Sequence, residues 1–407
     1  SALEEIVGSG STDVVHLLAA EDVSVSGIET VVGAAGAETV TFVASTATTL
    51  AVSRVDSVVG TSNNADTIRL LGGQAVEVSA IETVLGSTAS GDNVTLLGTD
   101  ESVAVSLVDL VTGTTGTDDV VTMLSAGALS VSIVDSVLGS GGTDTVTMIG
   151  QTDIRISSVE TLVGTSGTTD TATLLSNSAV AVSAIESVIG DAGTADTLRL
   201  LGSGTIGVSI SNIGTVLGSA GATDEVVMLE DGDTIRVSQV EAVYASTAAG
   251  DTVHMMSAGA LSASNVESIV GSTGADTVTL LSAAGPVALS AVESVIGTGG
   301  TDSVELIASL AAGTPLAITD VATVTGTTSS GESVRLLGAG DYSISAIESV
   351  IGTAGAGDNI ELMATQTVSV SNVDQVMGTT ATTDVVRMLG AGDVGVSMVD
   401  TVIGTAG

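Results

Sequence analysis

Val55-Asp56-Ser57-Val58-Val59-Gly60 is one copy of a phrase that runs the length of the chain. It precedes Ile81-Glu82-Thr83-Val84-Leu85-Gly86 and follows Ile28-Glu29-Thr30-Val31-Val32-Gly33. It is still running at Ile347-Glu348-Ser349-Val350-Ile351-Gly352 and at Val399-Asp400-Thr401-Val402-Ile403-Gly404. The spacing is about 26 residues. Self-similarity at a fixed period of this size marks a repeat architecture, in which each unit buries its apolar face only by stacking on its neighbours. No stretch departs from the period for long enough to form another domain, so residues 1–407 read as one continuous repeat domain.

Working outward from the phrase, each unit holds three short apolar runs separated by turn residues. In the unit from Gly259 to Ser282, Leu261-Ser262-Ala263-Ser264 alternates apolar with small residues. Val266-Glu267-Ser268-Ile269-Val270 follows and ends at Gly271. The polar turn Ser272-Thr273-Gly274-Ala275-Asp276 leads into Thr277-Val278-Thr279-Leu280-Leu281. Period-two alternation over four to six residues, with β-branched enrichment and glycine-bearing turns, reads as β-strand. Dense Gly and β-branched residues weigh against helix. The expected fold is an all-β parallel solenoid of about 15 to 16 coils, each of about 26 residues and three strands, with rungs roughly 4.8 Å apart. A serine that closes the first strand in nearly every unit (Ser53, Ser79, Ser106, Ser132) would then form a stacked hydroxyl column at one corner. Units run long near Gly202–Gly218 and Ser309–Gly326.

The composition sets bounds on function. The net charge is −40, with seven Arg and no Lys, yet 44% of residues are hydrophobic and sit in regular positions, too many for a chain that cannot collapse. Such an acidic surface repels nucleic acid and anionic membranes and attracts metal cations. No run of 18 apolar residues offers a bilayer span. The absence of Cys removes disulfides and thiol chemistry. The chain opens on Ser1-Ala2-Leu3-Glu4-Glu5 without an initiator Met or a basic leader, which suggests a piece of something longer.

The turn after the phrase carries the chemistry. An acid precedes the third strand in every unit: Asp13, Glu38, Asp66, Asp92, Asp118, Asp144, Asp170, Asp196, Asp224, Asp251, Asp276, Asp302, Glu332, Asp358 and Asp384. A second acid belongs to the phrase itself, from Glu29 and Asp56 to Asp374 and Asp400, lapsing at Gly214 and Ala322. With units stacked directly, each column would bring like charges to roughly 4.8 Å, repelling by about 0.9 kcal/mol per adjacent pair even in bulk water. Solvation, salt or bound cations would have to offset that. Carboxylates beside glycine-rich turns suit a hard cation, and Ca2+ tolerates irregular oxygen cages better than Mg2+. The turn acids are therefore the candidate metal ligands. Alternatively they are solubilising charges that hydrogen-bond turn backbone, the reading favoured for the phrase acids.

Gly139-Ser140-Gly141-Gly142-Thr143-Asp144 and Gly297-Thr298-Gly299-Gly300-Thr301-Asp302 resemble the nonapeptide of the RTX, or haemolysin-type, calcium-binding repeats, Gly-Gly-x-Gly-x-Asp-x-apolar-x. The matching positions are Gly139, Gly142 and Asp144, and Gly297, Gly300 and Asp302. The phrase also looks like the lead-in found in large bacterial surface proteins of that group. The resemblance implies a parallel β-roll with calcium in its turns, export without a cleaved N-terminal signal, and a place outside the cell. The chain departs from the pattern where the second Gly is replaced and where turns run one residue longer, as in Gly190-Asp191-Ala192-Gly193-Thr194-Ala195-Asp196.

An enzyme is disfavoured: His16 and His254 occupy equivalent strand positions many units apart, Lys is absent and loops are short. Ice binding is suggested by Thr145/Thr147, Thr171/Thr173 and Thr277/Thr279, but Arg199, Glu305, Arg335 and Arg387 interrupt the row. The expected role is a structural subunit or segment of a secreted or cell-surface fibre or layer, partnered by itself head to tail. Both ends stop inside the repeat, at Leu3-Glu4-Glu5-Ile6-Val7-Gly8 and at Val402-Ile403-Gly404-Thr405-Ala406-Gly407, so both would present unpaired strand edges. A monomeric adhesin stalk or ice-binding rod is the alternative.

Overall fold

The computed structural model describes residues 5–404 apart from 11, 44–47, 63–64, 116–117, 168, 177–178, 192–195, 222, 248–249, 283–284, 311–312, 330, 356, 381–382 and 391. Leu3, Glu4, Thr405, Ala406 and Gly407, read above as parts of the end motifs, lie outside the described residues. The chain divides into two compact units, 1–199 and 200–407. Each is a parallel β-solenoid, with about 21 turns in all, and no helix occurs among the described residues.

The three strands of a repeat form as read. In the first unit Thr49–Ser53 is a first strand, Ser57–Val59 a phrase strand and Thr67–Leu70 a third strand. Their assembly differs from the expectation of three strands and about 26 residues per coil. Thr67 pairs with Thr49 on one side and Thr83 on the other, and Thr83 with Ala104. Successive coils are thus 18, 16 and 21 residues long (49 to 67, 67 to 83, 83 to 104) and contain two strands, one in each of two sheets. The second unit repeats the order: Thr234–Ser238, Thr252–Met255, Ser268–Val270 and Pro286–Ser290 stack in turn. One repeat therefore makes one and a half turns. Successive copies of any strand fall on opposite sheets, and two repeats are needed to return to the same sheet three coils later. At strand spacing that separation is roughly 14 Å rather than 4.8 Å.

The physical reason is that the interior does not distinguish strand types. Nearly every interior strand alternates in and out, so a first strand, a third strand and a phrase strand present interchangeable aliphatic knobs. Leu50, Val52, Ile68, Leu70 and Val84 in the first unit are at most 2% exposed, as are Leu261, Ile269, Val278 and Leu289 in the second. Each fully buried side chain of this kind contributes about 1.5–3 kcal/mol relative to exposure.

One corner is set by backbone alone. The residue after each closing serine is left-handed, with φ between 51° and 63°, at Gly27, Arg54, Ala80, Leu107, Ile133 and onward. Its carbonyl turns toward the phrase glycine of the preceding coil. A Cβ on Gly60 would fall 1.8 Å from the oxygen of Ala80, and one on Gly86 would fall 1.9 Å from that of Leu107. That is why the phrase ends in glycine in every copy but one, where Ala245 stands in its place. Gly86→Ala is expected to destabilise the fold by about 1–3 kcal/mol through this overpacking. Gly141→Ala, with no atom within 4 Å of the new Cβ, should leave stability unchanged or raise it by up to about 1 kcal/mol. Denaturant midpoints followed by circular dichroism compare the two.

Candidate functional site: the carboxylate corners

Asp92 shows how a corner is built. It precedes the third strand Asn93–Leu96 and is fully buried. Its Oδ2 accepts the N–H of Ser87 at 2.6 Å and the Ser87 hydroxyl at 2.8 Å, closing the turn that begins just after the phrase glycine. Its Oδ1 accepts the N–H of Gln74, one coil below, at 3.2 Å. Its own N–H donates to Oδ2 of the phrase acid Asp109, one coil above, at 3.0 Å. A single acidic residue therefore joins three consecutive coils. A carboxylate has about four lone-pair sites and no donor, so it suits a corner where several peptide N–H groups converge without carbonyl partners.

The pattern recurs. Asp66 takes Thr61 and Thr48 in the same two roles, Asp144 takes Ser140 and Gly127, Asp276 takes Ser272 and Gly259, and Asp384 takes Thr379 and Gln366. Asp251 accepts the Asp233 N–H and the Ser246 hydroxyl. Asp13 and Asp170 accept the N–H of Ser9 and Thr165, Asp196 that of Asp191, and Glu38 that of Ala34. Asp224, Asp302 and Asp358 take the N–H of Ser219, Thr298 and Thr353, and Glu332 takes the hydroxyls of Ser309 and Thr327. Each phrase acid reaches the N–H of the turn acid one coil before it. Glu29 reaches Asp13, Asp56 reaches Glu38, Glu82 reaches Asp66, and so on to Asp374 at Asp358 and Asp400 at Asp384. The two acid columns are one network.

Asp118 is placed differently. It is exposed, has a φ of 75°, and pairs with Arg155 at 2.8 Å. Its neighbour Asp119 is the buried corner acid, bonded by Thr114 and Glu101 N–H groups at 2.6 and 3.0 Å. The strand begins at Val120, so Asp119 directly precedes it, which spacing from the strand start reveals. The Ser or Thr after the phrase glycine is the functional position that the sequence reading passed over. Its signal is a Gly-Ser or Gly-Thr four or five residues before most of the acids, with Ala34 and Asp191 in that place before Glu38 and Asp196 and Ala245-Ser246 before Asp251. The closing serines form no continuous column: Ser106 pairs with Ser125 at 2.9 Å and Ser157 with Ser176 at 3.1 Å, each partner lying outside the closing position.

Some corners lack a donor. Glu38 Oε2, Asp224 Oδ1, Asp302 Oδ1, Glu332 Oε2 and Asp358 Oδ1 are buried without a hydrogen-bond partner. Burial raises the carboxyl of Asp224 above its ordinary value, with Glu241 adding to the effect against the Ser219 N–H. Burial likewise raises Glu38, aided by Asp56, and Asp233, aided by Glu230, Asp251 and Asp231. At Glu332 and Asp384 burial pushes upward too, but the donors prevail and hold both carboxyls low: the hydroxyls of Ser309 and Thr327 at one, the Thr379 hydroxyl and N–H and the Gln366 N–H at the other.

Chemically, the described corners are hydrogen-bond acceptors met by N–H and O–H donors. Among the described residues no three Asp, Glu or His side chains converge as a metal site would require, and no helix is long and apolar enough to cross a membrane. His16 and His254 lie in third strands, Val14–His16 and Thr252–Met255. No family model, curated protein or solved structure matches the chain.

Opposite pH behaviour is expected of two acids from the same column. Asp384 is depressed, so its stabilisation is present above the ordinary carboxylate range and lost as pH falls through its lowered value. Asp384→Asn should cost about 1.5–3 kcal/mol at neutral pH, from charge-assisted bonds, with the gap narrowing in acid. Asp224 is raised, so its favourable contribution exists below the ordinary range and is lost as pH rises through its elevated value. Asp224→Asn should therefore be close to neutral or stabilising at pH 7 and relatively worse in acid. Urea midpoints across pH for both variants check the pair.

Proposed function

We propose that the chain is a structural segment of a secreted or cell-surface fibre or layer, with other copies of itself as its partner. The observation that carries this reading is a row of half-exposed aliphatic residues at one position of each repeat, directly after the third strand. Leu71, Leu124 and Leu175 follow third strands of one sheet in the first unit and are 46%, 51% and 46% exposed. Val43, Leu97 and Ile149 follow those of the other sheet. In the second unit Leu281, Leu337 and Leu389 form one row, and Met256, Ile307 and Met363 the other. Their backbones are tied into the ladder, as where the Leu71 N–H donates to Val52 O at 2.9 Å, so the side chains are held outward.

Within a row the residues recur every three coils, roughly 14 Å apart. A second copy is the partner whose spacing matches by construction, since both edges carry the same period. End-to-end stacking adds coil-on-coil pairing of the kind that builds each unit. The location outside the cell rests on the absence of Cys, the acidic surface and the resemblance of the turns to haemolysin-type repeats. A net charge of −40 opposes association at low salt, so lateral packing should strengthen as ionic strength rises. Light scattering and electron microscopy across a salt series are expected to show bundles for the chain and markedly fewer for the combined Leu71→Ser, Leu124→Ser and Leu175→Ser variant. Single particles at every salt concentration would instead favour the monomeric stalk.

A further inference from the structure

We infer that this solenoid closes its acidic corners with peptide N–H groups in the place of a cation, so that its fold is independent of calcium. This inference stands apart from assembly and concerns the coil itself. At Asp66, Asp92, Asp119, Asp144, Asp276 and Asp384 both carboxylate oxygens already accept hydrogen bonds, one from the acid's own turn and one from the coil below. A further carboxylate, that of the phrase acid on the coil above, is engaged by the turn acid's own N–H, as where the Asp66 N–H donates to Glu82 Oε2 at 2.7 Å. A calcium ion asks for six to eight oxygens at 2.3–2.6 Å. Here it would meet N–H and O–H hydrogens pointing at the same lone pairs, and would have to break bonds to three coils to enter. The donors do for the carboxylate what a cation does: they concentrate positive charge on the anion and tie separate chain segments to it.

The corners at Asp224, Asp302 and Asp358 leave one buried oxygen without a donor, so they are where a cation would gain most. They supply the control. The full chain is melted by circular dichroism in excess EDTA, in Ca2+ and in Mg2+, alongside Asp92→Asn and Asp302→Asn. The expected result is one midpoint for the full chain in all three solutions, with Asp92→Asn lowered by the same amount in EDTA and in Ca2+. Asp302→Asn should likewise show no calcium dependence. If Asp92→Asn fails to fold, Ser87→Ala removes one donor and keeps the carboxylate, and its smaller loss should also be equal in EDTA and in Ca2+. A midpoint that falls in EDTA, recovers in Ca2+ more than in Mg2+, and loses that response in either Asn variant would overturn the inference.

Discussion

The charge-assisted hydrogen bond from backbone N–H to a buried carboxylate is the interaction on which the rest of the structure depends. A two-sheet coil must reverse its direction at each edge, and a reversal strands peptide donors that no ladder can satisfy. Asp92 gathers such donors from its own turn and from the coil below, and Asp109 takes the one Asp92 itself presents. Bonds to a charged acceptor are worth about 1.5–3 kcal/mol each, against about 1 for neutral pairs. That gain is set against the cost of removing an ionised group from water; at Asp224, where one buried oxygen has no donor, burial holds the carboxyl above the ordinary range.

The odd ratio between repeat and coil explains how so acidic a chain tolerates its own charge. Stacked directly, equivalent acids would repel by about 0.9 kcal/mol per neighbour in water. At three coils, roughly 14 Å, the same term falls to about 0.3 kcal/mol. The close pairs that remain, Glu82 beside Asp66 for example, are those in which one acid accepts the other's N–H, so a favourable bond accompanies each repulsion. Alternation also gives both sheets the same cycle of first, third and phrase strands. Both edges of each unit carry acids and half-exposed aliphatics at matching intervals.

The strands, their inward residues and the all-β solenoid were legible because period-two alternation at Val76, Val78 and Val94 is a local signal. The coil was not, because the register between strands is non-local and the core is chemically uniform. Val84 packs as well beside Ile68 of a third strand and Val105 of a first strand as it would beside another phrase valine. The acid columns were visible, but their role turned on which atoms face the carboxylate, and backbone N–H groups leave no trace in residue identity. Asp118 and Asp119 show the same limit in miniature, since one residue of register exchanges a buried hub for an exposed partner of Arg155. The left-handed corner was hidden for another reason. Asn265 and Asn372 suit it, but Leu107 and Ile133 occupy it equally, which only the surrounding structure can impose.

Strain and clamp meet at one corner, where a Cβ on Gly86 would fall 1.9 Å from the Leu107 oxygen and 3.1 Å from Asp92 Oδ2, and they have a joint consequence. A left-handed Leu107 is held because its carbonyl is fitted against Gly86 of the preceding coil, while Asp92 holds the coils on either side of it. Neither feature is satisfied within one coil. A coil detached from its neighbours would lose its corner donors and retain its backbone strain, so it has little stability alone. Nearest-neighbour coupling of this kind makes a linear array cooperative over several coils, even though the side-chain hydrogen bonds among the described residues span at most two coils, as from Arg155 to Asp118. Ladders of aliphatic side chains supply most of the stabilising free energy, but they would permit slippage from one equivalent valine to the next. The clamps and the glycine contact admit one register only, and so convert a uniform core into a defined helix of coils.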